Sequence, residues 1–246
     1  MVLLAFEAAT DRHGRGVELF RQHRYLEAIT EFQTALQTEG KGSTDYNESV
    51  LMIGQSFFTL SRFADAISWL EKAPQTNESI YMLGYAYEQA GRSQESVQAF
   101  ARLFGLDPKS AGAYLLTGQM LLKRQLDKAA FEQFKKALIL DPKLPEAHYL
   151  LGEIALFRGL LPESVAEFKQ ELSINPNFSN AWYCLGDAYT RQSNWDVAID
   201  NLQRAIWLNK DFSAPYILLG KCCWANAITK GASGRRRNGF SGKRCA

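Results

Sequence analysis

The stretch AWYCLGDAYTRQSNWDVAIDNLQRA, residues 181–205, decides how this chain folds. It carries a glycine at residue 186, an alanine at residue 198 and a leucine at residue 202. Apolar residues in its first part, and again in its second part, recur at spacings of three and four, which is the period of one face of an α-helix. The stretch therefore predicts two consecutive helices that pack against each other.

The glycine of this stretch returns along nearly the whole chain. The ladder consists of Gly16, Gly54, Gly84, Gly118, Gly152, Gly186 and Gly220. Its intervals are 38, 30 and then four times 34 residues. Repetition with a period of this size is typical of proteins in which one supersecondary unit stacks on the next. No pattern of alternating apolar and polar residues favours strands instead.

Two further positions repeat with the glycine. If each ladder glycine is counted as position 8 of a unit, position 20 is always small and position 24 is always large and apolar. Position 20 holds Ala28, Ala66, Ser96, Ala130, Ser164 and Ala198, and position 24 holds Phe32, Leu70, Phe100, Phe134, Phe168 and Leu202. A glycine inside a helix costs about 1 kcal/mol relative to alanine. We therefore expect the second helix of each unit to approach the first closely, with the small residue at position 20 facing the glycine.

These positions resemble the tetratricopeptide repeat (TPR). The resemblance is strongest over Ala181–Tyr189 with Trp195, Ala198, Leu202 and Ala205, and it extends from about Asp11 to Trp224. It implies an all-α fold, a right-handed α-solenoid of helix-turn-helix units with six full repeats and one partial repeat. We assign residues 1–230 to this solenoid.

Two units depart from the 34-residue spacing. The first is longer, with its extra residues near Gly40–Thr44, which predicts a loop. The second is shorter because Pro74 ends its second helix early. We expect an irregular stack between Ala73 and Ile80, with a tighter connection or a hinge as the two possible forms.

The resemblance also implies where a partner binds. In proteins similar to this one, the first helices line a concave groove through positions 2, 5, 9, 12 and 13. The residues that we predict to line it are Tyr81, Tyr85, Gln119, Leu122, Tyr149, Glu153, Leu156, Tyr183, Asp187, Thr190 and Arg191. Tyrosines at position 5 offer rigid contact area and a hydroxyl group. The alternative is that some of them only pack between neighbouring repeats.

Two known TPR subfamilies are not matched. Position 5 holds tyrosine or leucine, and position 9 holds glutamine, tyrosine or an acid, so the lysine- and asparagine-based clamp for chaperone tails is absent from the sequence. Position 6 carries no asparagine ladder of the kind found in O-linked N-acetylglucosamine transferase.

The charge is unevenly distributed. The formal net charge is +2, and five basic residues in 231–246 leave residues 1–230 at −3. An acidic body argues against a nucleic-acid-binding solenoid, which needs a basic stripe. Residues 231–246 are rich in glycine and arginine and lack a helical period, so we expect a disordered basic tail. Its alternatives are a contact with nucleic acid or anionic membrane and an end without a selected role.

The sequence contains no constellation of catalytic or metal-binding residues. No phosphate-binding loop, nucleophile elbow or H-E-x-x-H helix is present, and Cys184, Cys222, Cys223 and Cys245 form no C-x-x-C pair. We therefore expect no enzyme activity, no cofactor, no metal and no small-molecule substrate. No apolar run approaches the ~20 residues that span a bilayer, and the apolar start is short for a secretory signal. A cytoplasmic location is expected, with a missing upstream signal or anchor as the alternative.

The sequence thus favours a non-catalytic scaffold or adaptor that binds a peptide or helix segment of another protein in the concave groove. Self-association is expected at the C-terminal end, where Trp224 and Cys222 are poor residues for the polar cap of a repeat array. One alternative is an accessory fragment of a larger enzyme or of a membrane-anchored assembly factor. Another is weak nucleic-acid contact through the basic tail.

Overall fold

The computed structural model describes residues 11–238 of this chain, and the side chains as far as residue 230. Over these residues it consists of thirteen α-helices and contains no β-strand, which confirms the predicted all-α fold. The described chain forms two compact bodies that divide between Gln133 and Phe134, the N-terminal body (residues 11–133) and the C-terminal body (residues 134–238). The boundary between them falls within one helix. The predicted right-handed sense of the stack stays a prediction.

The helices follow one another in pairs along both bodies. The N-terminal body holds α1 (Arg12–Arg21), α2 (Tyr25–Ala35), α3 (Thr44–Thr59), α4 (Phe63–Leu70), α5 (Asn77–Gln89), α6 (Ser93–Phe104), α7 (Ala111–Lys123) and the start of α8 (Asp127–Leu140). The C-terminal body holds the rest of α8, then α9 (Ala147–Phe157), α10 (Leu161–Ile174), α11 (Ser179–Arg191), α12 (Trp195–Leu208) and α13 (Ser213–Asn238). Six of the seven ladder glycines lie in the first helix of a pair, as the sequence predicts, and Gly220 lies in α13, which no further helix follows within the described residues.

Five of the ladder glycines meet a large side chain of the second helix. A Cβ atom built on Gly152 would lie 2.6 Å from Cε1 of Phe168, and one built on Gly54 would lie 2.7 Å from Cδ2 of Leu70. Gly16, Gly84 and Gly186 meet Phe32, Phe100 and Leu202 in the same way. The side chain nearest to the glycine is therefore at position 24, because the longer side chain reaches across the pair. At Gly186 the carbonyl oxygen of Ala198, at position 20, also lies 3.4 Å from the Cβ position, so the small residue faces the glycine there through its backbone.

Both repeated positions are nonetheless buried. Position 20 is fully buried in all six repeats, and so is position 24. Burying a phenylalanine or leucine side chain contributes about 1.5–3 kcal/mol relative to leaving it exposed. This core of glycine, small residue and large residue is therefore what holds each helix pair together.

The turn within each pair has a fixed backbone shape. Position 15 has a positive φ in all six repeats, at His23, Ser61, Gly91, Gln125, Gly159 and Ser193, with values between 58° and 76°. The amide that follows donates a hydrogen bond of 2.8–3.0 Å to the carbonyl five residues earlier in every case. This is the Schellman motif, which satisfies carbonyl groups at the end of the first helix. Only two of the six positions hold glycine.

The two irregular spacings lie where the sequence places them. Residues 36–43 connect α2 to α3, and the hydroxyl of Ser43 caps α3 by accepting from the amide of Tyr46. In the shorter repeat, α4 ends at Leu70, and the chain turns through Pro74 into a capping box formed by Thr76 and Ser79. The hydroxyl of Ser79 also donates to the carbonyl of Pro74 at 2.7 Å. The irregular connection is therefore a tight, hydrogen-bonded turn.

The last helix is longer than the sequence suggests. It has 26 residues and extends to Asn238, so residues 231–238 are helical where disorder is expected. Alanine and arginine favour a helix here and no proline interrupts it, but Gly231 and Gly234 each cost about 1 kcal/mol relative to alanine, so helix propensity alone does not explain the continuation. Residues 239–246 of the expected tail lie outside the described residues. The division of the chain at residue 230 and the contacts of the tail stay predictions.

Candidate functional site

The first helices of the N-terminal body end around a cavity of about 470 Å³. It lies at the C-terminal ends of α3 and α5 and at the turns that follow α3 and α7. Its lining consists of Phe58, Thr59, Ser61, Phe63, Tyr85, Gln89, Arg124 and Leu126. A volume of this size is in the range of sites that hold a side chain or a small ligand.

An arginine lies over aromatic rings at this cavity. The guanidinium carbon of Arg124 is 5.0 Å from the ring centroid of Tyr85, 5.7 Å from that of Phe58 and 5.8 Å from that of Tyr81. Attraction between a cation and the ring face contributes about 0.5–1 kcal/mol at an exposed site. Among the ion pairs found over residues 11–230, none includes Arg124. The rings therefore position a cation whose hydrogen-bond donors are not engaged by a carboxylate within the described chain.

The two tyrosines beneath this arginine form one aromatic group. Their rings meet edge to face with centroids 4.7 Å apart, and the hydroxyl of Tyr85 donates to the carbonyl of Met120. Burial and the neighbouring hydroxyl of Tyr81 raise the pKa of Tyr85. Burial alone would raise the pKa of Tyr81 as well, but Tyr85 and Arg124 outweigh it and lower that pKa. Tyr85 therefore fixes the group to α7, and Tyr81 is its more accessible member.

The predicted residues of the C-terminal body also come together, but they bond to one another. The hydroxyl of Tyr149 donates to Glu153 Oε1 at 2.6 Å, and burial raises the pKa of the Glu153 carboxyl. Arg191 donates to Asp187 Oδ2 at 2.9 Å and to the carbonyl of Leu156 at 3.3 Å. This group of side chains already satisfies much of its own hydrogen-bonding capacity.

The tyrosines at position 5 of the C-terminal body contribute to packing. The ring of Tyr149 lies edge-on to Phe178 at 4.9 Å, and that of Tyr183 lies edge-on to Phe212 at 5.1 Å. Each phenylalanine belongs to the connection that leads to the next repeat. Both tyrosines are half-buried, so part of each ring stays accessible.

The predicted groove residues differ in accessibility. Tyr85 and Leu156 are buried, with 2% and 7% of their surface exposed. Arg191 is exposed, and the remaining eight, Tyr81, Gln119, Leu122, Tyr149, Glu153, Tyr183, Asp187 and Thr190, are half-buried. Sequence reasoning missed Arg124 and Phe58. Arg124 lies at position 14, in the turn after α7, and the predicted positions stop at 13.

The described residues hold neither a cluster of metal ligands nor, at Cys184, an activated thiol. Over these residues, no group of three or more histidine, cysteine or acidic side chains is placed to hold a metal ion. Burial and the charge of Glu153 raise the pKa of Cys184 to about 12, so this thiol is a poor nucleophile at neutral pH. Within the described range there is also no helix that is long and apolar enough to cross a membrane.

Comparison with known families agrees with the repeat geometry. The family described as tetratricopeptide repeat matches residues 13–79, 81–145 and 149–216. The chain belongs to the tetratricopeptide-repeat family. These three matches span most of the described helices, and each one covers two ladder glycines. A search of curated proteins found none that matches this TPR chain.

Several solved TPR structures are similar to this one. The crystal structure of MamA is 25% identical, with 64% of this chain and 95% of that chain covered and a TM-score of 0.43. YrrB, described as a TPR protein with an unusual peptide-binding site, is 18% identical, with coverage of 75% and 95% and a TM-score of 0.45. The TPR2AB domain of yeast Sti1, in complex with an HSP90 peptide, is 14% identical, with coverage of 88% and 99% and a TM-score of 0.44.

Proposed function

We propose that this TPR chain is a non-catalytic interaction module that holds an extended segment of another protein against the first helices of its N-terminal body. The observation that carries this proposal is Arg124, which the rings of Tyr81, Tyr85 and Phe58 position beside an open cavity. A positioned cation next to aromatic surface can bind a charged group and an apolar side chain of the same segment.

The chemistry of this cavity favours a ligand that carries a carboxylate. A guanidinium donates two parallel hydrogen bonds to a carboxylate, and such charge-assisted bonds are about twice as strong as neutral ones. The bound segment would place an aspartate, a glutamate or its C-terminal carboxylate at Arg124. Its neighbouring apolar side chain would enter the cavity beside Phe58 and Phe63.

The C-terminal body is less suited to be the primary site. The basic member of its predicted groove residues, Arg191, is paired with Asp187, and the carboxyl of Glu153 accepts from Tyr149. A ligand would have to break these pairs before it could bind them. We therefore infer that selection of the ligand occurs at the N-terminal body.

Selection of peptides on the whole chain tests the proposal. Peptides would be selected from a random display library on the wild-type chain, and their affinity would be measured by fluorescence anisotropy. We expect the selected peptides to share a carboxylate, and replacement of that group by its amide should weaken binding about 10-fold, as expected for a charged hydrogen bond of 1.5 kcal/mol or more.

Two variants distinguish this site from general charge attraction. Arg124→Gln should reproduce the loss caused by the amide, and it should remove the difference between the acid and amide peptides. Arg204→Gln is the matched control, because Arg204 also lies over an aromatic ring, 4.2 Å from the centroid of Trp207, but on a second helix. The proposal is contradicted if peptides bind Arg124→Gln as tightly as they bind the wild-type chain.

A further inference from the structure

Helix α13 is apolar on two opposite faces. Its inner face packs on α12, with Cys222 fully buried and with Leu218 and Leu219 against Leu202 and Ala198. Its outer face exposes 46% of Tyr216, 63% of Ile217, 72% of Trp224 and 49% of Ile228. A helix that is apolar all round is normally buried on all sides. The outer face of α13 therefore has the composition of an interface.

The other repeats show what normally covers this face. In five of them the ladder glycine lies under a large apolar side chain of a second helix, within 2.6–2.8 Å of where its Cβ would be. Gly220 has the same place in α13, but no atom of the described chain lies within 4 Å of its Cβ position. The end of a repeat array ordinarily has a polar outer face. Here the space above Gly220, which we call the Gly220 notch, is open, and the exposed side chains around it are apolar.

We propose that this face is covered by α13 of a second copy of the chain, in an antiparallel, two-fold symmetric contact. Trp224 follows Gly220 by one helical turn, so both lie on the same outer face. When two such helices cross antiparallel near Cys222, the Trp224 ring of each copy enters the Gly220 notch of the other. One helix thus supplies both the notch and the side chain that fills it, which is the self-complementarity that a two-fold interface requires.

The remaining residues fit the same arrangement. Tyr216 of one copy faces Ile228 of the other, and the two flank the central contact on both sides. Lys221 lies at the edge of the apolar face, and Lys230 is turned toward α12, where its ammonium group is 2.7 Å from Asp196. Lys221 of both copies lies along the same edge of the contact, where the long exposed side chains extend into solvent.

The size of the face sets the strength of the association. With about 150–250 Å² for each aromatic side chain, the exposed part of this face is about 500 Å² per copy. Two copies would bury about 1,000 Å², which is near the lower limit for specific interfaces. An interface of this size is typical of weak, reversible association.

Sedimentation equilibrium of the full chain tests this inference. The average mass of the wild-type chain should rise from monomer toward dimer between about 1 and 200 μM. Trp224→Ser should weaken the association at least 10-fold, whereas Trp207→Ser should leave it unchanged. Trp207 is a matched control because it is also a well-exposed tryptophan of the C-terminal body, at 64%, but it lies on α12. Far-ultraviolet circular dichroism of both variants confirms that the helices are retained.

Cross-linking through Cys223 tests the symmetry separately. Cys223 is an exposed free thiol on the outer face, whereas Cys184 and Cys222 are buried. With Cys245 replaced by serine, a short bis-maleimide should give one dimer species, linked from Cys223 to Cys223. A chain that stays monomeric over this range, or a dimer that Trp224→Ser does not weaken, overturns the proposal. Absence of the Cys223–Cys223 linkage in a dimer overturns the antiparallel arrangement.

Discussion

Replacement of a single ladder glycine by alanine tests the packing of the helix pairs. The Cβ atom of Gly152→Ala would lie 2.6, 2.7 and 3.0 Å from three ring atoms of Phe168. Carbon atoms in ordinary contact are about 3.5–4.0 Å apart, so the ring or the helix has to move by about 1 Å. Phe168 is fully buried, so there is packed protein on the other side of the ring as well.

The expected loss of stability follows from two opposing terms. Overpacking of a well-packed core costs about 1–3 kcal/mol. Replacement of a helical glycine by alanine contributes about 1 kcal/mol in the favourable direction. The net destabilisation of Gly152→Ala is therefore about 0–2 kcal/mol, and relative to a glycine-to-alanine change without the clash it is about 1–3 kcal/mol. For a chain of this length each kcal/mol lowers the melting temperature by about 2–4 °C.

Gly220→Ala is the internal control. It is the same substitution at the same position of the repeat, but the place of the new methyl group is empty. Only the helix-propensity term remains, so this variant should gain about 0.5–1 kcal/mol. The two melting temperatures would be measured by circular dichroism at a protein concentration below that of self-association.

A double variant locates the clash. Adding Phe168→Leu to Gly152→Ala removes the ring that the methyl group meets, so the combined loss should be smaller than the sum of the two single losses by at least about 1 kcal/mol. The reasoning is refuted if Gly152→Ala is as stable as Gly220→Ala, or if the two losses in the double variant simply add.

Three further substitutions test other contacts of the fold. Glu171 is fully buried, and its carboxylate accepts hydrogen bonds from the amides of Glu146 and Tyr149 at 3.0 and 3.3 Å. Glu171→Ala should therefore lower the free energy of unfolding, measured by chemical denaturation, by about 2–3 kcal/mol, and Glu171→Gln should lower it by less. Burial raises the pKa of Glu153 above its usual value of 4.5 in the folded state. The folded state therefore disfavours the ionised carboxyl, and the free energy of unfolding falls as the pH rises through the unfolded pKa. Glu153→Gln should accordingly stabilise the chain more at pH 7 than at about pH 4, as measured by urea titration. Gly91 has a φ of 76°, so Gly91→Ala should cost about 1 kcal/mol by thermal melting, whereas Ser61→Gly, at the same turn position, should cost nothing or stabilise the chain.

The repeating core of the fold could be predicted from the sequence because it depends on contacts between residues that are separated by a fixed number of positions in the chain. The ladder glycines, the small residues at position 20 and the large residues at position 24 all lie where the period places them. The residue that contacts the glycine could not be predicted, since the sequence pattern does not tell whether the side chain of Ser164 or that of Phe168 reaches Gly152. Only the lengths of the side chains across the built helix pair decide that.

Structural features that do not require the same residue type in every repeat were not predicted from the sequence. The left-handed turn at position 15 holds glycine in two repeats and other residues in four, so no sequence pattern marks it. The capping of α9 by Glu171 joins residues 25 positions apart and occurs in one repeat only. Arg124 lies in a turn, outside the helix positions that the resemblance assigns to the groove. Each of these depends on a single side chain in its own surroundings and not on the repeat.

The most direct test of the proposed function is site-specific photo-cross-linking of a selected peptide to the whole chain. A benzophenone amino acid at Gln89, which is exposed and lines the cavity beside Arg124, should cross-link the peptide efficiently, and Arg124→Gln should suppress that product. The same amino acid at Gln98, which is exposed on the second helix α6, should give little product. Equal cross-linking from residues 89 and 98, or a product at residue 89 that survives Arg124→Gln, would contradict a binding site on the first helices.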